Sequence, residues 1–163
     1  MIDINIRAAN AHDLVQLDEL MFQLHEHHHQ AIPEFFKTAK DIEQEKSIAR
    51  YLEDPECLVY VATDSLVDHN SNIVGFISGH FCELTSSVSK PLPMGSIDEF
   101  FVVENYRQRG VAKSLCQHIE AVFFDYGVQQ VFVEVWEFNG VAQSFYREMG
   151  FTHHIHWLRK SLI

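Results

Sequence analysis

The feature that most constrains the fold is a change of periodicity in the second half of the chain, where a strand pattern turns into a helix pattern. Residues 98–105 read DEFFVVEN, a run rich in strand-forming side chains. Residues 111–126 read VAKSLCQHIEAVFFDY, in which apolar side chains recur every three or four positions, as on one face of a helix. Only YRQRG separates the two patterns. A strand that passes into a helix through a glycine predicts a mixed α/β fold around one central sheet.

The rest of the chain extends this pattern in both directions. Apolar alternation and β-forming side chains predict strands at residues 2–8, 57–63, 73–84, 95–103, 130–136 and 151–162. Helical spacing predicts helices from residue 10 or 12 to 30, and at 41–52, 110–126 and 140–149. Gly75 and Gly79 indicate bulges or close approaches within the third strand. The predicted order is βααβββαβαβ, without a repeat or an interdomain linker.

Length and composition fit one folded domain. A chain of 163 residues with 47% hydrophobic content is long enough to bury a core, so we expect residues 1–163 to form a single domain. No apolar run approaches the roughly 20 residues that span a bilayer. The first residues, MIDINIRAAN, lack the basic and apolar regions of a signal peptide. We therefore expect a soluble, cytoplasmic protein that has no membrane partner.

Charge and cysteine content narrow the class of partner. The chain carries 23 acidic and 12 basic residues, a formal net charge of -11, which disfavours nucleic-acid binding and suits small cations such as amines. Cys57, Cys82 and Cys116 are far apart and form no CxxC pair. We interpret them as buried free thiols rather than as disulfide partners or zinc ligands.

The YRQRG turn has the chemistry of an anion site. The first turn of a helix leaves four main-chain N–H groups unpaired, and the helix dipole adds partial positive charge there. Gly110 and Ala112 allow an anion such as pyrophosphate to approach the backbone, and Arg107, Arg109 and Lys113 add charge around it. The spacing matches neither GxxxxGK[ST] nor GxGxxG, which disfavours a nucleoside triphosphate or NAD. An ordinary strand-to-helix turn that needs glycine for its geometry would give the same pattern.

A second segment turns this pattern into a family resemblance. Residues 107–112 match [Q/R]-x-x-G-x-[G/A], and residues 139–151, NGVAQSFYREMGF, match N-x-x-A-x-x-[FL]-Y-x-x-x-G-F. With both motifs in this order, the chain resembles the GNAT superfamily of acetyl-CoA-dependent N-acetyltransferases. The resemblance covers nearly the whole chain and is weakest at residues 10–55, where these enzymes vary with substrate. It implies a GNAT-like fold, with a mixed, mostly antiparallel central sheet flanked by helices.

The resemblance also implies how acetyl-CoA is held as cosubstrate, with no metal. The fourth and fifth strands would splay apart, and main-chain groups of the fourth strand would pair with the pantetheine arm in the gap. Asn139 would hold the cofactor or cap the helix that follows it, and both roles are compatible. The implied cofactor-binding residues are Phe100, Phe101, Val102, Gln108, Arg109, Gly110, Val111, Ala112, Lys113 and Asn139.

The implied reaction is direct attack of a primary amine on acetyl-CoA within a ternary complex. Tyr146 is the predicted general acid, since a phenol with a pKa of about 10 is protonated at neutral pH and can donate to the departing thiolate. DEFFVVENYRQRG resembles polyamine acetyltransferases, and EVWEFNGVAQSFYREMGF resembles protein N-terminal acetyltransferases. The acceptor is therefore a small, polyamine-like amine or else a protein lysine or N-terminus. The alternative is a catalytically silent module of the same fold that binds acyl-CoA.

Three carboxylates compete for the role of general base. Glu134 lies in the apolar run VFVEV, where a carboxylate is costly unless it is paired or solvated by a cleft. Asp98 and Glu99 are neighbours on the fourth strand, so regular alternation would let only one of them face the cleft. Related N-terminal and polyamine acetyltransferases place carboxylates at the positions of Glu134 and Asp98 respectively. The sequence leaves the choice open.

Histidines and oligomeric state remain the least constrained features. His25, His28 and His29 fall at helical spacing, but no further ligand completes a recognised metal motif. We interpret them as a solvated helix end that lines the acceptor site. His154 and His156 are predicted to share one face of the closing strand. The sequence is compatible with a homodimer, although it indicates no surface for one.

Overall fold

Five strands form one sheet, in the order in which they occur along the chain. The computed structural model describes all 163 residues. The strands are β1 (Ile4–Ala8), β2 (Cys57–Asp64), β3 (Ile73–Leu84), β4 (Leu92–Val102) and β5 (Gln130–Val133). The helices are α1 (Leu14–Ala31), α2 (Ala39–Glu45), α3 (Ala49–Glu53), α4 (Val111–Asp125) and α5 (Gly140–Glu148), with 3-10 turns at Ala11–Asp13 and Glu104–Tyr106.

The strand directions follow from the connections between them. Strands β1 to β4 are antiparallel neighbours, whereas β5 runs parallel to β4. A parallel pair needs a long crossover, and α4 supplies it. The result is a mixed, mostly antiparallel sheet flanked by helices, which confirms the predicted fold class.

Helices cover the two faces of the sheet, and each face has its own apolar cluster. The α4 face is the side on which Leu115, Ile119 and Phe123 pack against the sheet. The α1 face is the opposite side, on which Leu17 and Leu20 pack with Phe76 and Phe101. Burying one such side chain stabilises the fold by about 1.5–3 kcal/mol, so both clusters are needed to hold the sheet between its helices.

The segment between α1 and β2 departs from the predicted helix at 41–52. It contains two short helices, and Lys46 between them has extended dihedral angles (φ -132°, ψ 131°). The break lets Ile48 enter the apolar cluster of the α1 face, where it is 2% exposed. No helix in the structure is both long enough and apolar enough to cross a bilayer.

The predicted closing strand at 151–162 is absent. Residues 152–163 have no strand structure and make no main-chain hydrogen bond to other main-chain groups. A strand exists only through its partners, and β5, the neighbour that this segment would need, is only four residues long. His154 and His156 therefore share no strand face. The three cysteines are free as predicted, although only Cys116 is fully buried.

Candidate active site

A β-bulge places two carboxylates on the same face of the sheet. Asp98 and Glu99 of β4 together oppose the single residue Ser78 of β3, where the register between the two strands shifts. The residue after Ser78 is Gly79. A side chain is excluded there because its Cβ would collide with the carbonyl oxygen of Ser96. Both carboxylates lie on the α1 face. The expectation that only one could face this side was wrong, because the bulge breaks the alternation on which it rested.

Glu99 is buried among polar groups of the α1 face, with 4% of its surface exposed. The Ser78 hydroxyl donates to Glu99 Oε2 over 2.5 Å and accepts from the Glu99 main-chain N–H over 3.0 Å. Glu99 Oε1 receives no directed hydrogen bond, and the Lys46 ammonium forms an ion pair with it. His25 lies nearby with Nε2 unpartnered, and burial followed by the Lys46 charge lowers its pKa. Lys46 thus neutralises a carboxylate that would otherwise be costly to bury.

Asp98 is held by three donors on the same face. The Tyr51 hydroxyl donates to Oδ2 over 2.8 Å, His80 Nδ1 lies 2.6 Å from the same oxygen, and the Ser96 hydroxyl donates to Oδ1 over 2.8 Å. Burial, and then the bond to Asp98, raise the pKa of Tyr51. These partners come from α3, β3 and β4. They could not be predicted from the sequence without the register of the strands.

The pairing between the fourth and fifth strands ends beside the carboxylates, at the place where the resemblance implies a gap. Their pairing runs from Met94 opposite Gln130 to Ile97 opposite Val133 and stops there. The outer edge of β4 is therefore open from residue 98 to residue 102. This open edge contains the main chain of Phe100, Phe101 and Val102, the segment expected to pair with pantetheine.

Glu134 follows the last paired residue of β5 and lies at the mouth of this gap. Its side chain is exposed and has no hydrogen bond or ion pair within the protein. The expectation of a carboxylate inside an apolar strand was wrong, because β5 ends at Val133 rather than at Trp136. Of the three carboxylates, Glu134 alone is unpartnered.

Tyr146 lies on the other side of the gap, among aromatic rings. Its ring centroid is 6.4 Å from that of Phe100, 5.4 Å from Phe145 and 5.3 Å from Phe151. Burial, and then the neighbouring Cys116 thiol, raise the pKa of the phenol. The hydroxyl has no hydrogen-bond partner within the protein. Because Phe100 and Phe145 pack against the cluster of the α4 face, Tyr146 is separated by the sheet from Asp98 and Glu99.

Asn139 acts as the N-terminal cap of the helix that carries Tyr146. Its Oδ1 accepts a hydrogen bond from the Ala142 N–H over 3.1 Å. This contact is one of the two roles expected for Asn139, and it orients α5. The main-chain carbonyls of Trp136 and Glu137 receive further hydrogen bonds from Gln143, which holds the entry into the helix.

The turn before α4 presents unpaired donors. The main-chain N–H groups of residues 108–113 donate to no acceptor in the protein, and the first hydrogen bond of this region joins the Ser114 N–H to the Gly110 carbonyl. Gly110 has φ 82°, and no atom lies within 4 Å of the position of a Cβ there. Gln108 also has positive φ, at 59°. Unpaired N–H groups at an open helix N-terminus suit an anion such as pyrophosphate.

The cationic side chains near this turn differ in whether they already have contacts within the protein. Arg107 Nε donates to the Val102 carbonyl over 2.8 Å, and its guanidinium lies 5.3 Å from the Phe101 ring centroid. Arg107 is thus directed back towards β4. Arg109 and Lys113 are exposed beside the unpaired N–H groups, which leaves them free to meet an anion.

The histidines of α1 pack against aromatic rings rather than forming a solvated helix end. His28 stacks on Phe36 with centroids 5.5 Å apart and meets Phe138 edge-on at 5.8 Å. Burial, and then the charges of His25 and His27, lower the pKa of His28 to about 4. The interpretation of this segment as solvated was wrong for His25 and His28, which are both partly buried. It rested on their polar neighbours in the sequence, which do not report the packing of the helix. Beside them, a cleft of about 430 Å³ contains Glu26, Glu104 and Arg107 among its lining residues.

Comparison with known proteins agrees with this geometry. The model of the acetyltransferase (GNAT) family matches residues 21–151. A crystal structure of an acetyltransferase from Vibrio fischeri is 48% identical, over 81% of this chain and 96% of that one, with a TM-score of 0.63. No curated protein matches the chain.

More distant structures share the fold over nearly the whole chain. A mutant form of the BH1408 protein from Bacillus halodurans has a TM-score of 0.83 at 20% identity, covering 98% of this chain and 99% of that one. The aminoglycoside N-acetyltransferase AAC(6')-Iy in complex with CoA has a TM-score of 0.73 at 19% identity, covering 98% and 96%. The family match and the 48% identical acetyltransferase lead to one conclusion: the chain belongs to the GNAT family of acetyltransferases.

Proposed function

We propose that this acetyltransferase transfers the acetyl group of acetyl-CoA to a primary amine by direct attack within a ternary complex. The observation that carries the proposal is the arrangement around the gap between β4 and β5. Tyr146 lies on the α4 face, while Asp98 and Glu99 lie on the α1 face. A protonated group and carboxylates on opposite sides of an open gap suit a reaction in which a nucleophile enters from one side and a thiolate leaves on the other.

Residues 108–113 and the open edge of β4 are proposed to hold the cosubstrate. The unpaired N–H groups of 108–113 would receive the pyrophosphate oxygens, with Arg109 and Lys113 neutralising their charge. The main chain of Phe100, Phe101 and Val102 would pair with the amides of the pantetheine arm as an added strand does. When bound, acetyl-CoA supplies an acetyl group activated as a thioester. The CoA in the AAC(6')-Iy structure, which shares this fold, supports the choice of ligand.

Tyr146 is proposed as the general acid. Burial raises its pKa above the ordinary phenol value of 10, so the hydroxyl keeps its proton throughout the neutral range. A proton-bearing hydroxyl without an internal partner is available to a departing thiolate. The aromatic surroundings exclude water, which strengthens the interaction of this hydroxyl with a developing negative charge.

Glu134 is proposed as the base that relieves the acceptor ammonium of its proton, through a water molecule. Glu99 is neutralised by Lys46, and Asp98 already accepts three hydrogen bonds. Both carboxylates are therefore already engaged by partners within the protein. Glu134 is exposed at the mouth of the gap and carries no such contact. Asp98 and Glu99 then act by attracting and orienting the cationic acceptor.

The acceptor is proposed to be a small primary amine, and otherwise a lysine side chain or an N-terminal amine. The net charge of -11 attracts cations, and Glu26 and Glu104 lie in the cleft beside the histidines of α1. That AAC(6')-Iy is an aminoglycoside N-acetyltransferase supports a small amine as the first choice. Acceptors rich in carboxylates should be poor.

Thiol release from acetyl-CoA across a panel of polyamines, aminoglycosides, lysine peptides and acidic amines tests the proposal. We expect release that depends on a cationic amine and disappears in Gly110→Phe, whose ring would fill the open space at the turn. Circular dichroism would verify that this control variant is folded. Tight CoA binding with no release by any amine would instead indicate a silent binding module. Transfer to alcohols in preference to amines would overturn the reaction class.

A further inference from the structure

A lysine of the chain itself occupies one of the carboxylates that are proposed to attract the acceptor. Lys46 follows α2, and its ammonium forms an ion pair with Oε1 of Glu99. Glu99 is 4% exposed and lies on the open edge of β4, one residue before Phe100. A primary amine that approached this carboxylate from outside would meet the primary amine of Lys46 already in its place.

A second lysine–glutamate pair shows how the Lys46 pair differs from an ordinary surface contact. Lys37 donates to both carboxylate oxygens of Glu45, over 2.9 and 2.8 Å, and the two side chains are 59% and 65% exposed. Glu99 Oε1, in contrast, is buried and receives no directed hydrogen bond from Lys46. Charge alone therefore holds the Lys46 ammonium beside the sheet, which leaves its end free to move.

Lys46 has the freedom and the reach to approach a thioester bound in the gap. Its main chain is extended between two short helices, and its side chain is 46% exposed. A pantetheine arm paired with Phe100 as an added strand would lie about 5 Å from β4, the normal spacing of neighbouring strands. Since the lysine side chain is a flexible stem of four carbons, rotations about its bonds move Nζ over a comparable distance.

We propose that the enzyme acetylates its own Lys46 when acetyl-CoA is bound and no acceptor amine is present. The proposal rests on the proposed function, because it uses the same acetyl donor and the same general acid. It adds a modification site within the chain, at a residue that the proposed function uses only to neutralise Glu99.

The reaction balances without any further reagent. Lys46 Nζ gives one proton to Glu99, the carboxylate that it contacts, and the neutral amine attacks the carbonyl carbon of the thioester. A C–N bond forms, the C–S bond breaks, and Tyr146 protonates the departing thiolate. Nζ loses its second proton to water, to which Glu99 also passes its proton and from which Tyr146 is reprotonated. The net products are acetyl-lysine, the thiol of CoA and one proton.

Self-acetylation changes the charge of the acceptor site. The acetamide of acetyl-lysine is neutral, so Glu99 loses its internal cation. A buried carboxylate without a cation is costly, and an incoming ammonium removes that cost by taking the place of Lys46. The modification thereby converts an internal ion pair into an anionic site for the acceptor.

Peptide mass spectrometry after incubation with acetyl-CoA alone tests the proposal. We expect one acetyl group per chain, at Lys46, and one equivalent of CoA thiol released before any amine is added. Tyr146→Phe should slow this modification by roughly 10²-fold or more, because it removes the general acid and keeps the ring. Acetylation of the exposed Lys37 and Lys90 as fast as that of Lys46, or an equal rate in Tyr146→Phe, would indicate unassisted chemical acetylation and overturn the proposal.

Conservative substitutions test the identity of the acceptor lysine. Lys46→Arg keeps a positive charge beside Glu99 but removes the primary amine, so the thiol release without added amine should disappear. Lys37→Arg, in the exposed ion pair with Glu45, is the matched control and should release the full equivalent. Undiminished release by Lys46→Arg would overturn the assignment.

Assaying the same preparations with the amine panel separates this proposal from the proposed function. Transfer to added amines by an enzyme that never carries an acetyl group on Lys46 would overturn self-acetylation and leave the proposed function in place. An acetylated Lys46 without transfer to any added amine would support self-acetylation and count against an external acceptor. Transfer to neither would overturn both.

Discussion

Beside the gap, one face of the sheet buries a neutral ionisable group and the other face holds charged carboxylates. On the α4 face, Tyr146 lies among Phe100, Phe145 and Phe151, and burial keeps it neutral. On the α1 face, Asp98 and Glu99 keep their positions through directed polar contacts and one ion pair. One sheet can therefore hold a protonated hydroxyl in apolar surroundings on one face and carboxylates in polar surroundings on the other. The open gap between β4 and β5 is the place where the two meet.

The largest expected effect comes from the α4 face. Tyr146→Phe removes the hydroxyl and keeps the ring contacts, so kcat should fall by roughly 10²–10⁴-fold, the usual contribution of a general acid. The affinity for acetyl-CoA should change little. Steady-state kinetics and calorimetry measure the two quantities. Tyr126→Phe, at an exposed tyrosine after α4, is the matched control. Turnover like that of the wild type would assign thiolate protonation to another group.

The three carboxylates should respond to substitution in a graded way. Glu134→Gln should lower kcat by about 10²-fold, near the lower limit for a general base, because water carries the proton. Asp98→Asn and Glu99→Gln should mainly raise the KM for the amine, since both are proposed to attract and orient the acceptor. Measuring kcat and KM over a pH series distinguishes these outcomes. A fall in kcat for Glu99→Gln larger than for Glu134→Gln would reverse the proposed roles.

The ion pair of the α1 face should also contribute to stability. Lys46→Met leaves Glu99 buried without its cation, which should lower the free energy of unfolding by about 1–3 kcal/mol, less than for a fully buried pair because Lys46 is half exposed. Urea unfolding measures the change. Lys40→Met on the exposed surface of α2 is the control. Adding Glu99→Gln to Lys46→Met should recover much of the loss, and no recovery would mean that the lysine acts through packing alone.

The smallest effect concerns the pH dependence of stability on the α1 face. The pKa of His28 is lowered from 6.5 to about 4, so the unfolded chain binds its proton more readily between these values. Stability should therefore fall as pH decreases from about 6.5 to about 4 and should change no further below that range on account of this group. Because His28 is only half-buried, the loss is on the order of 1 kcal/mol.

Removing the imidazole tests this assignment. His28→Leu should flatten the acid side of the stability profile, while His69→Gln, at an exposed histidine, should leave it unchanged. Thermal unfolding at a series of pH values provides the measurement. An unaltered profile in His28→Leu would place the acid sensitivity in another group, with His25 as the next to examine.

Sequence reasoning succeeded where local pattern decides structure. The bounds of β3 at 73–84 were predicted as observed, and the helix starts after Gly110 and Asn139 follow from glycine and cap chemistry. The family and the positions of Tyr146 and the turn at 108–113 came from two local motifs.

What sequence reasoning missed depends on contacts between distant residues. The bulge at Asp98 and Glu99 exists only because β4 pairs with β3, and no local pattern reports it. The ion pair of Lys46 with Glu99 joins residues far apart in the chain, and it requires the helix break that precedes Ile48. Residues 152–163 alternate apolar and polar side chains as a strand does, but they have no strand partner within the chain. Alternation alone therefore predicted a strand that is not formed.

The most direct test of the account is a two-step titration followed by amide NMR. Adding CoA should shift the amides of 108–113 and of Phe100–Val102, since these groups have no internal partner or lie on the open edge. The resonances of His25, Lys46 and His80 should move only after a cationic amine is added. If CoA first perturbed the α1 face and left the amides of 108–113 unchanged, the assignment of the two faces to cosubstrate and acceptor would be contradicted.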